Sequence, residues 1–289
     1  GVKRIGEMAF SSCYSLESIV IPDSVTSIDS YVFSYNPVLT SVIMPDGVSF
    51  VGAYSPFENC PSLESVYSQH TLYYLNPDYT GAYTIPNGVE SVNISCSGLT
   101  SVTIPDSVKN LNLSCCGSLT SITIPNGVET IDLHLCESLT NVIIPDSVTS
   151  IVSFANCSSL KSVTIGNGVT SIGDRAFYAC GELERITIGS GVTSIGQTPF
   201  RDCGKLTRVD YVGTIEIWCG IAFKDYYSCP FNNDYNLYIN GELVTDLVIP
   251  DTVTAINWRA FSGCTSLTSV TIPVNIGYFA FSGCTGLTS

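Results

Sequence analysis

The chain carries a short pattern of apolar and polar positions, L-x-x-V-x-I-P, that recurs from one end to the other. Its apolar positions are two or three residues apart, and many of the positions between them are Ser or Thr. Segments rich in Val, Ile and Thr with this spacing predict short strands with one buried face. Clean neighbouring copies lie 20, 21, 23 or 24 residues apart. Copies begin at Leu16, Leu39, Leu63, Leu99, Leu119, Leu139, Leu160, Leu183, Leu206 and Leu267, with a fragment at Leu287.

Each copy continues with a predicted turn and a second, shorter apolar segment. The proline ends the strand because it has no backbone N–H to donate. Asp-Ser or Asn-Gly follows it, as in Pro22-Asp23-Ser24, which fits a type I turn with Pro at its second position. An apolar pair such as Val25 and Ile28 comes next, and the longer copies add an A-F-x-x-C arm. A unit of this length cannot bury its apolar face alone, so the repeat predicts a solenoid of stacked coils.

This unit resembles the BspA-like leucine-rich repeats of bacterial and protist surface proteins, which read roughly L-x-S-V-T-I-P-x-S-V-T-S-I-G-x-x-A-F-x-x-C. The resemblance covers nearly the whole chain outside two segments. It implies a β-rich leucine-rich-repeat solenoid with a curved parallel sheet on its concave face. Short strands, turns and short helical or 3-10 arms would form the convex side. We expect residues 1–289 to be one solenoid domain and a fragment of a longer protein that carries the signal and anchor.

Two Tyr-rich segments interrupt the repeat, at about 67–83 and 210–243. We favour β-hairpins that pack their aromatic side chains on the solenoid, because aromatics at such density usually need burial. In the second segment Trp218, Phe223, Tyr226, Tyr227 and Phe231 would then form a small satellite core. The alternative is a binding platform, since insertions in repeat proteins often lie on the binding face. Trp218, Tyr226 and Tyr227 are therefore also candidate contacts for a partner.

The charge of the chain narrows the classes of partner. The formal net charge is −14, so the phosphate backbone of nucleic acids and anionic membrane surfaces are disfavoured. No apolar stretch is long enough for a membrane span, which indicates that this segment does not insert into a membrane. We expect a monomer that meets a protein or glycan ligand.

Most of the 13 cysteines occupy one position of the repeat, three residues before the repeat leucine. Asn36 holds the same position before Leu39, as expected where a side chain must bond the backbone at a coil corner. A buried free thiol can serve there as a small group and weak donor. Cys219 and Cys229 lie off this position, and a disulfide between them is plausible. The predicted structural ladder comprises Cys13, Asn36, Cys60, Cys96, Cys116, Cys136, Cys157, Cys180, Cys203, Cys264 and Cys284.

The sequence offers little support for catalysis. Cysteine pairs with zinc-site spacing, phosphate loops, G-x-S-x-G elbows and H-E-x-x-H segments do not occur. His134 lies two residues before Cys136, and a nucleophilic Cys-His pair is conceivable there. The structural interpretation is favoured because Cys136 belongs to the ladder and its thiol should be buried. We expect no enzyme activity, no cofactor and no metal site.

The positions beside the repeat valine should face solvent on the concave sheet, and they suggest where a partner binds. In the middle coils they are mostly Ser and Thr, whereas Arg185, Arg208 and Asp210 carry charge, with Glu184 nearby. These four residues join the aromatic ones as candidate partner-binding residues. The expected function is recognition or adhesion at the cell surface or outside the cell, without catalysis. The alternatives are a passive spacer and, less favoured because the coils differ in length, an ice- or crystal-binding face.

Overall fold

The computed structural model describes residues 1–224, 235–272 and 275–289. Over these ranges the chain is a parallel β-solenoid of about twelve coils with very little helix, which confirms the fold that the repeat predicts. Each regular coil contributes one strand before the proline turn and one after it. We call the two sets of strands the leucine sheet and the post-proline sheet.

The leucine sheet is built by the L-x-x-V-x-I segments. Its longest run pairs neighbouring coils in parallel, so that Ser162, Arg185, Arg208 and Asn236 lie side by side. Residues 119–125 have no strand, which interrupts the sheet. Its strands are β2 Ser18–Val20, β4 Ser41–Ile43, β6 Ser65–Tyr67, β8 Gly81–Thr84, β10 Leu99–Thr103, β13 Asn141–Ile144, β15 Ser162–Ile165, β17 Arg185–Gly189, β19 Arg208–Val212, β21 Asn236–Ile239, β23 Asp246–Val248 and β25 Ser269–Thr271.

The post-proline sheet follows the turn. Its strands are β1 Arg4–Ile5, β3 Ser27–Asp29, β5 Ser49–Val51, β7 Thr71–Leu75, β9 Ser91–Asn93, β11 Asn110–Asn112, β12 Thr130–Asp132, β14 Ser150–Ser153, β16 Ser171–Ile172, β18 Ser194–Ile195, β20 Ala222–Phe223, β24 Ala255–Ile256 and β26 Asn275–Ile276. Those from β7 to β20 run in parallel across eight successive coils, and shorter parallel groups lie at either end.

The turn that joins the two sheets differs by one position from its prediction. The carbonyl of Pro22 accepts a hydrogen bond from the amide of Val25 at 2.9 Å, and the carbonyl of Pro145 accepts one from Val148 at 3.1 Å. Proline is thus the first residue of the turn instead of the second. It can start the turn because this position requires only a carbonyl acceptor.

The core lies between the two sheets and along the coil corners. Repeat residues such as Leu160, Val163 and Ile165 are buried, and the side chains between them point outward. The arm phenylalanines stack from coil to coil, with ring centroids of Phe154 and Phe177 5.3 Å apart and those of Phe177 and Phe200 5.5 Å apart. Burial of these aromatic side chains stabilises the coils that carry them, whereas the shorter coils bury Leu113 and Leu133 at this position.

The arms themselves are turns, and the expectation that they are helical or 3-10 does not hold for those the structure describes. In the arm of residues 174–180, Arg175 and Ala179 have φ angles of 56° and 57°. Two left-handed residues within five positions cannot continue a right-handed helix. The same reversal recurs just before other ladder residues, for example at Asn156 with φ 61°.

The first interruption, 67–83, forms a coil of its own. Strand β7 runs antiparallel to β6, as the predicted hairpin requires, and it also pairs in parallel with β9. Strand β8 then pairs in parallel with β10. The buried apolar residues divide here into two clusters, which extend from Ile21 to Tyr74 and from Leu72 to Ala280. We call residues 66–75 the junction of the solenoid.

The second interruption, 210–243, continues strand β19 to Val212 and then forms a helix that the hairpin interpretation did not predict. Helix α1, Ile215–Gly220, is followed by β20, and a hairpin of β21 and β22, Glu242–Leu243, ends the segment. Asn240 and Gly241 at the hairpin turn have φ angles of 51° and 86°, as an Asn-Gly type I′ turn requires. Tyr226, Tyr227, Cys229 and Phe231 lie outside the described residues.

Candidate functional site

Most of the ladder cysteines donate their thiols to a backbone carbonyl of the preceding coil, whereas Cys116 donates to the carbonyl of Ser114 in its own coil. The thiols of Cys157 and Cys180 donate to the carbonyls of Leu133 and Phe154 at 3.1 and 3.2 Å. Cys60, Cys136, Cys203 and Cys284 make the same contact one coil back. Asn36 donates its amide group to the carbonyls of Phe10 and Phe33 at 2.9 and 2.8 Å. At this position thiol and amide therefore tie one coil to the next.

Burial makes these thiols poor nucleophiles. It raises the pKa of Cys116 to about 11 and that of Cys157 to about 12. For Cys180, a hydrogen bond with Cys203 and burial both raise the pKa. Off the ladder, burial raises the pKa of Cys219 to about 12. The thiolate is the reactive form, so near neutral pH these groups remain protonated and unreactive. The described cysteines are free, and the proposed pairing of Cys219 with Cys229 involves a residue outside the described ranges.

The histidines are engaged by carboxylates. Nδ1 of His134 lies 2.9 Å from Asp132 Oδ1, whereas the thiol of Cys136 donates to the carbonyl of Leu113 at 3.3 Å. The two residues therefore do not form the hydrogen-bonded pair that nucleophilic catalysis needs. Nδ1 of His70 lies 2.7 Å from Asp46 Oδ2.

Metal-binding groups and membrane-spanning helices are both missing from residues 1–224, 235–272 and 275–289. No three or more His, Cys, Asp or Glu side chains converge there in a group suited to a metal ion. Nor do these ranges contain a helix with the length and apolar character needed to cross a membrane.

Two neighbouring strands of the leucine sheet, β17 and β19, bring three of the four predicted charged residues together. Asp210 on β19 accepts hydrogen bonds from Nε of Arg185 at 2.7 Å and from Nε and one terminal nitrogen of Arg208 at 2.9 Å each. Tyr238 on β21 lies on the other side, with the Arg208 guanidinium 3.8 Å from its ring centre. We call Arg185, Arg208, Asp210 and Tyr238 the arginine patch.

Asp210 does not face solvent as its place beside the repeat valine predicted, since its side chain is only 7% exposed. Arg208 from its own strand and Arg185 from the adjacent strand cover it. Burial would raise its pKa, but the hydrogen bonds and charges of Arg208 and Arg185 outweigh burial and hold the pKa of Asp210 below its usual range. Asp210 is thus an ionised anchor that orients the arginines, whose side chains are 49% and 38% exposed.

The remaining candidates lie apart from this patch. Glu184 is exposed on the turn that precedes β17. Trp218 is fully buried, and its indole N–H donates to the carbonyl of Ala260 at 2.9 Å, so it belongs to the core and contacts no partner. Tyr226 and Tyr227 fall outside the described residues.

Sequence reasoning missed Tyr238. A signal was present, because Leu237 and Ile239 have the spacing of the repeat valine and isoleucine, which places Tyr238 between them on the outer face. The segment lacks the repeat leucine and proline, so the repeat pattern places it within an interruption. The paired register of Tyr238 with Asp210 shows that it continues the sheet.

Comparison with known proteins gives a family match over nearly the whole chain. A profile described as a BspA type leucine-rich repeat region of six copies matches residues 1–80, 82–152, 133–230 and 234–289. No curated protein matches. Similar solved structures include a leucine-rich repeat protein from Bacteroides ovatus, with 27% identity, coverage of 99% of this chain and 81% of that one, and a TM-score of 0.48. A leucine-rich cell surface protein from Faecalibacterium prausnitzii shows 25% identity, coverage of 78% and 86%, and a TM-score of 0.31.

Proposed function

Because the chain belongs to the family of BspA-type leucine-rich repeat proteins, we propose that it is a recognition or adhesion module without catalytic activity. It binds a protein or glycan through the face of the leucine sheet, and it acts at the cell surface or outside the cell. The buried, protonated cysteines and the carboxylate-bound histidines support a role without nucleophilic chemistry.

The arginine patch is the observation that carries this proposal. Two guanidinium groups share one carboxylate, so the patch has a local excess of positive charge on a chain whose net charge is −14. Arg185 donates its Nε–H to Asp210, and its side chain is half exposed. The terminal nitrogens of its guanidinium group can therefore contact a ligand. Guanidinium groups bind planar anions in two-point contacts. The partner should therefore present carboxylate or sulfate groups, as acidic proteins and acidic glycans do.

The neighbouring coils explain why binding should concentrate at this patch. The equivalent positions hold Ser162 and Thr164 in the next coil, then Asn141 and Ile143, and Ser121 and Thr123 farther along the face. None of these side chains carries a charge, and most of them are short hydroxyl groups that offer little area to bury. Hot spots are instead enriched in Arg and Tyr, the residue types of the patch.

The test compares this chain with a variant in which Arg185→Ser, Arg208→Ser and Asp210→Thr restore the hydroxyl pattern of β15. Removing all three charges avoids leaving Asp210 buried and unpaired, which would itself destabilise the fold. Binding is measured on immobilised extracellular matrix proteins and on a glycan array. We expect a ligand rich in carboxylate or sulfate to be retained by the parent chain and weakened at least about tenfold in the variant.

A control variant, Lys3→Ala with Lys109→Ala, removes two positive charges elsewhere and should retain binding. If ligand binding weakens equally in the control, net charge alone explains the effect, and specific binding at the arginine patch is contradicted. A detected ligand that binds the triple variant unchanged would place the binding surface elsewhere. If neither array shows binding, the module is a passive spacer that displays other domains.

A further inference from the structure

A cleft of about 660 Å³ opens along the coil corners on the amino-terminal side of the junction. Its floor includes Phe57 and Tyr74, which are buried and whose ring centres lie 5.1 Å apart. Tyr14 and Tyr35 line its walls. The volume is within the range of sites that bind ligands.

The cleft exists because the stacking of corners is interrupted at the junction. In the first coils, Asn36 bonds the carbonyl of Phe10 and Cys60 bonds that of Phe33, so each corner contacts the one before it. The next ladder residue, Cys96, instead donates to carbonyls of residues 76–79. The corner of Phe57 therefore has no regular neighbour, and the surface beside it is open.

The residues that line this opening depart from the rest of the repeat. At the position directly after the ladder residue, the first three coils carry Tyr14, Pro37 and Pro61, all of which line the cleft. The other coils carry small or polar residues there. They are Ser97, Gly117, Glu137, Ser158, Gly181, Gly204, Thr265 and Thr285.

Tyr35 also departs from what stability alone would select. It has a φ angle of 57°, in the left-handed region that is costly for a bulky side chain, and it is 53% exposed. The left-handed backbone itself is common at the coil corners, and Asn and Asp tolerate it better than bulky residues. The equivalent residues with positive φ in other coils are Ser12, Asn59, Cys115, Leu135, Asn156, Ala179 and Asp202. What sets Tyr35 apart is its exposed aromatic ring, which gives the core little in return.

The charged residues that line the cleft, Glu58 and Asp78, are both acidic. Both are exposed, and no ion pair among the described residues engages either of them. The amide of Asp78 donates to Asn76 Oδ1 at 2.9 Å, which fixes the turn that carries the carboxylate. The cleft thus combines walls of tyrosine and proline with negative charge.

We propose that this cleft binds an extended, proline-containing peptide segment that carries an arginine or lysine. Grooves lined with aromatic side chains accept polyproline II segments, whose preformed conformation lowers the entropic cost of binding. Tyrosine rings attract cations through their faces, and Glu58 and Asp78 complement the same charge. The site is separate from the arginine patch, which requires an anionic ligand, so either proposal can fail without the other.

The probes are synthetic peptides used in isothermal titration calorimetry with the whole chain. The first is Arg-Ala-Pro-Pro-Ala-Pro-Pro-Ala; in the second Glu replaces Arg, and in the third Gly replaces every Pro. A neutral chito-oligosaccharide represents glycans. We expect the first peptide to bind at least about tenfold more tightly than the other two, and its binding to weaken as salt increases.

The variants use residues that the repeat itself places at the same positions. Tyr14→Ser and Tyr35→Asn together remove both rings, and Tyr35→Asn should also raise the melting temperature because Asn suits the left-handed backbone. Tyr278→Ser removes an exposed tyrosine distant from the cleft and serves as the control. Loss of peptide binding in a double variant that is as stable as the parent would distinguish a binding role from a structural one.

The carboxylates are tested by Glu58→Gln with Asp78→Asn, which should remove the preference for the Arg peptide over the Glu peptide. The proposal is overturned if no peptide binds, if the Glu peptide binds as well as the Arg peptide, or if the double tyrosine variant binds unchanged. Binding of the oligosaccharide alone, lost in the tyrosine variant, would make the cleft a glycan site instead.

Discussion

At the scale of single residues, the coil corners show how different side chains meet one structural requirement. The corner needs a buried donor that reaches a carbonyl of the preceding coil, and both the thiol of Cys180 and the amide of Asn36 provide it. Cysteine is the smaller and less polar of the two, so a coil can bury it at little cost in desolvation. Repetition of cysteine here reflects packing, and the raised pKa values follow from that burial.

Alkylation of the native protein tests this interpretation. With iodoacetamide near pH 8, Cys13 should react readily because its side chain is exposed, whereas Cys157 and Cys180 should remain unmodified until the chain unfolds. Mass spectrometry of the peptides gives the extent of modification at each position. Denaturation in urea supplies the control, in which all thiols should react alike. Native modification of Cys157 as fast as that of Cys13 would contradict the buried ladder.

At the scale of elements, helix α1 fixes the second interruption to the solenoid. Trp218 lies 5.1 Å from Tyr211 between ring centres, and its indole N–H bonds the carbonyl of Ala260 in a later coil. One side chain thus joins β19 to the arm of a coil whose Ala260 lies 42 residues beyond Trp218. Helix α1 thus continues the apolar core through a segment that lacks the repeat motif.

Replacement of Trp218 should therefore destabilise the fold strongly. We expect Trp218→Ala to lower the free energy of unfolding by about 3–5 kcal/mol, since it removes a fully buried aromatic side chain. Trp218→Phe should cost less, because it keeps much of the packing and loses the hydrogen bond. Ile217→Ala on the same helix is the control, since Ile217 is exposed and its removal should change stability little. Urea denaturation gives the free energy of unfolding of all three variants. Similar losses of stability for Trp218→Ala and Ile217→Ala would show that helix α1 packs only weakly on the solenoid.

At the scale of the whole molecule, the solenoid has two apolar cores that meet at the junction. Tyr74 belongs to the first core and Leu72 to the second, although both lie on β7. Stability in repeat arrays is the sum of coil and nearest-neighbour terms, so a weak interface divides the array into units that can open separately. The antiparallel pairing of β6 and β7 is the place where such a division is expected.

Hydrogen exchange can detect this division. Phe33→Ala removes a buried ring that stacks on two neighbours, and it should lower protection of amides in residues 1–66 more than in residues 141–189. Phe177→Ala is the matched variant in the second core and should show the reverse pattern. Exchange measured peptide by peptide gives both profiles. Uniform loss of protection in either variant would indicate that the coils open as one unit.

The sequence by itself determined the coil. Leucine, valine and isoleucine at fixed spacing, the proline turn and the corner cysteine are local features, and each repeats often enough to be recognised from order along the chain alone. Their burial and strand geometry followed from that order, as at Leu160 and Val163. The family resemblance rests on the same residues.

Only the tertiary structure decided what happens between coils. Asp210 is buried because arginines from its own and an adjacent strand close over it, and Trp218 is core because it reaches Ala260. The cleft beside Tyr35 arises because the next coil turns back at the junction. Each of these outcomes depends on which residues of different coils become neighbours when the coils stack. The spacing within a single repeat does not contain that information.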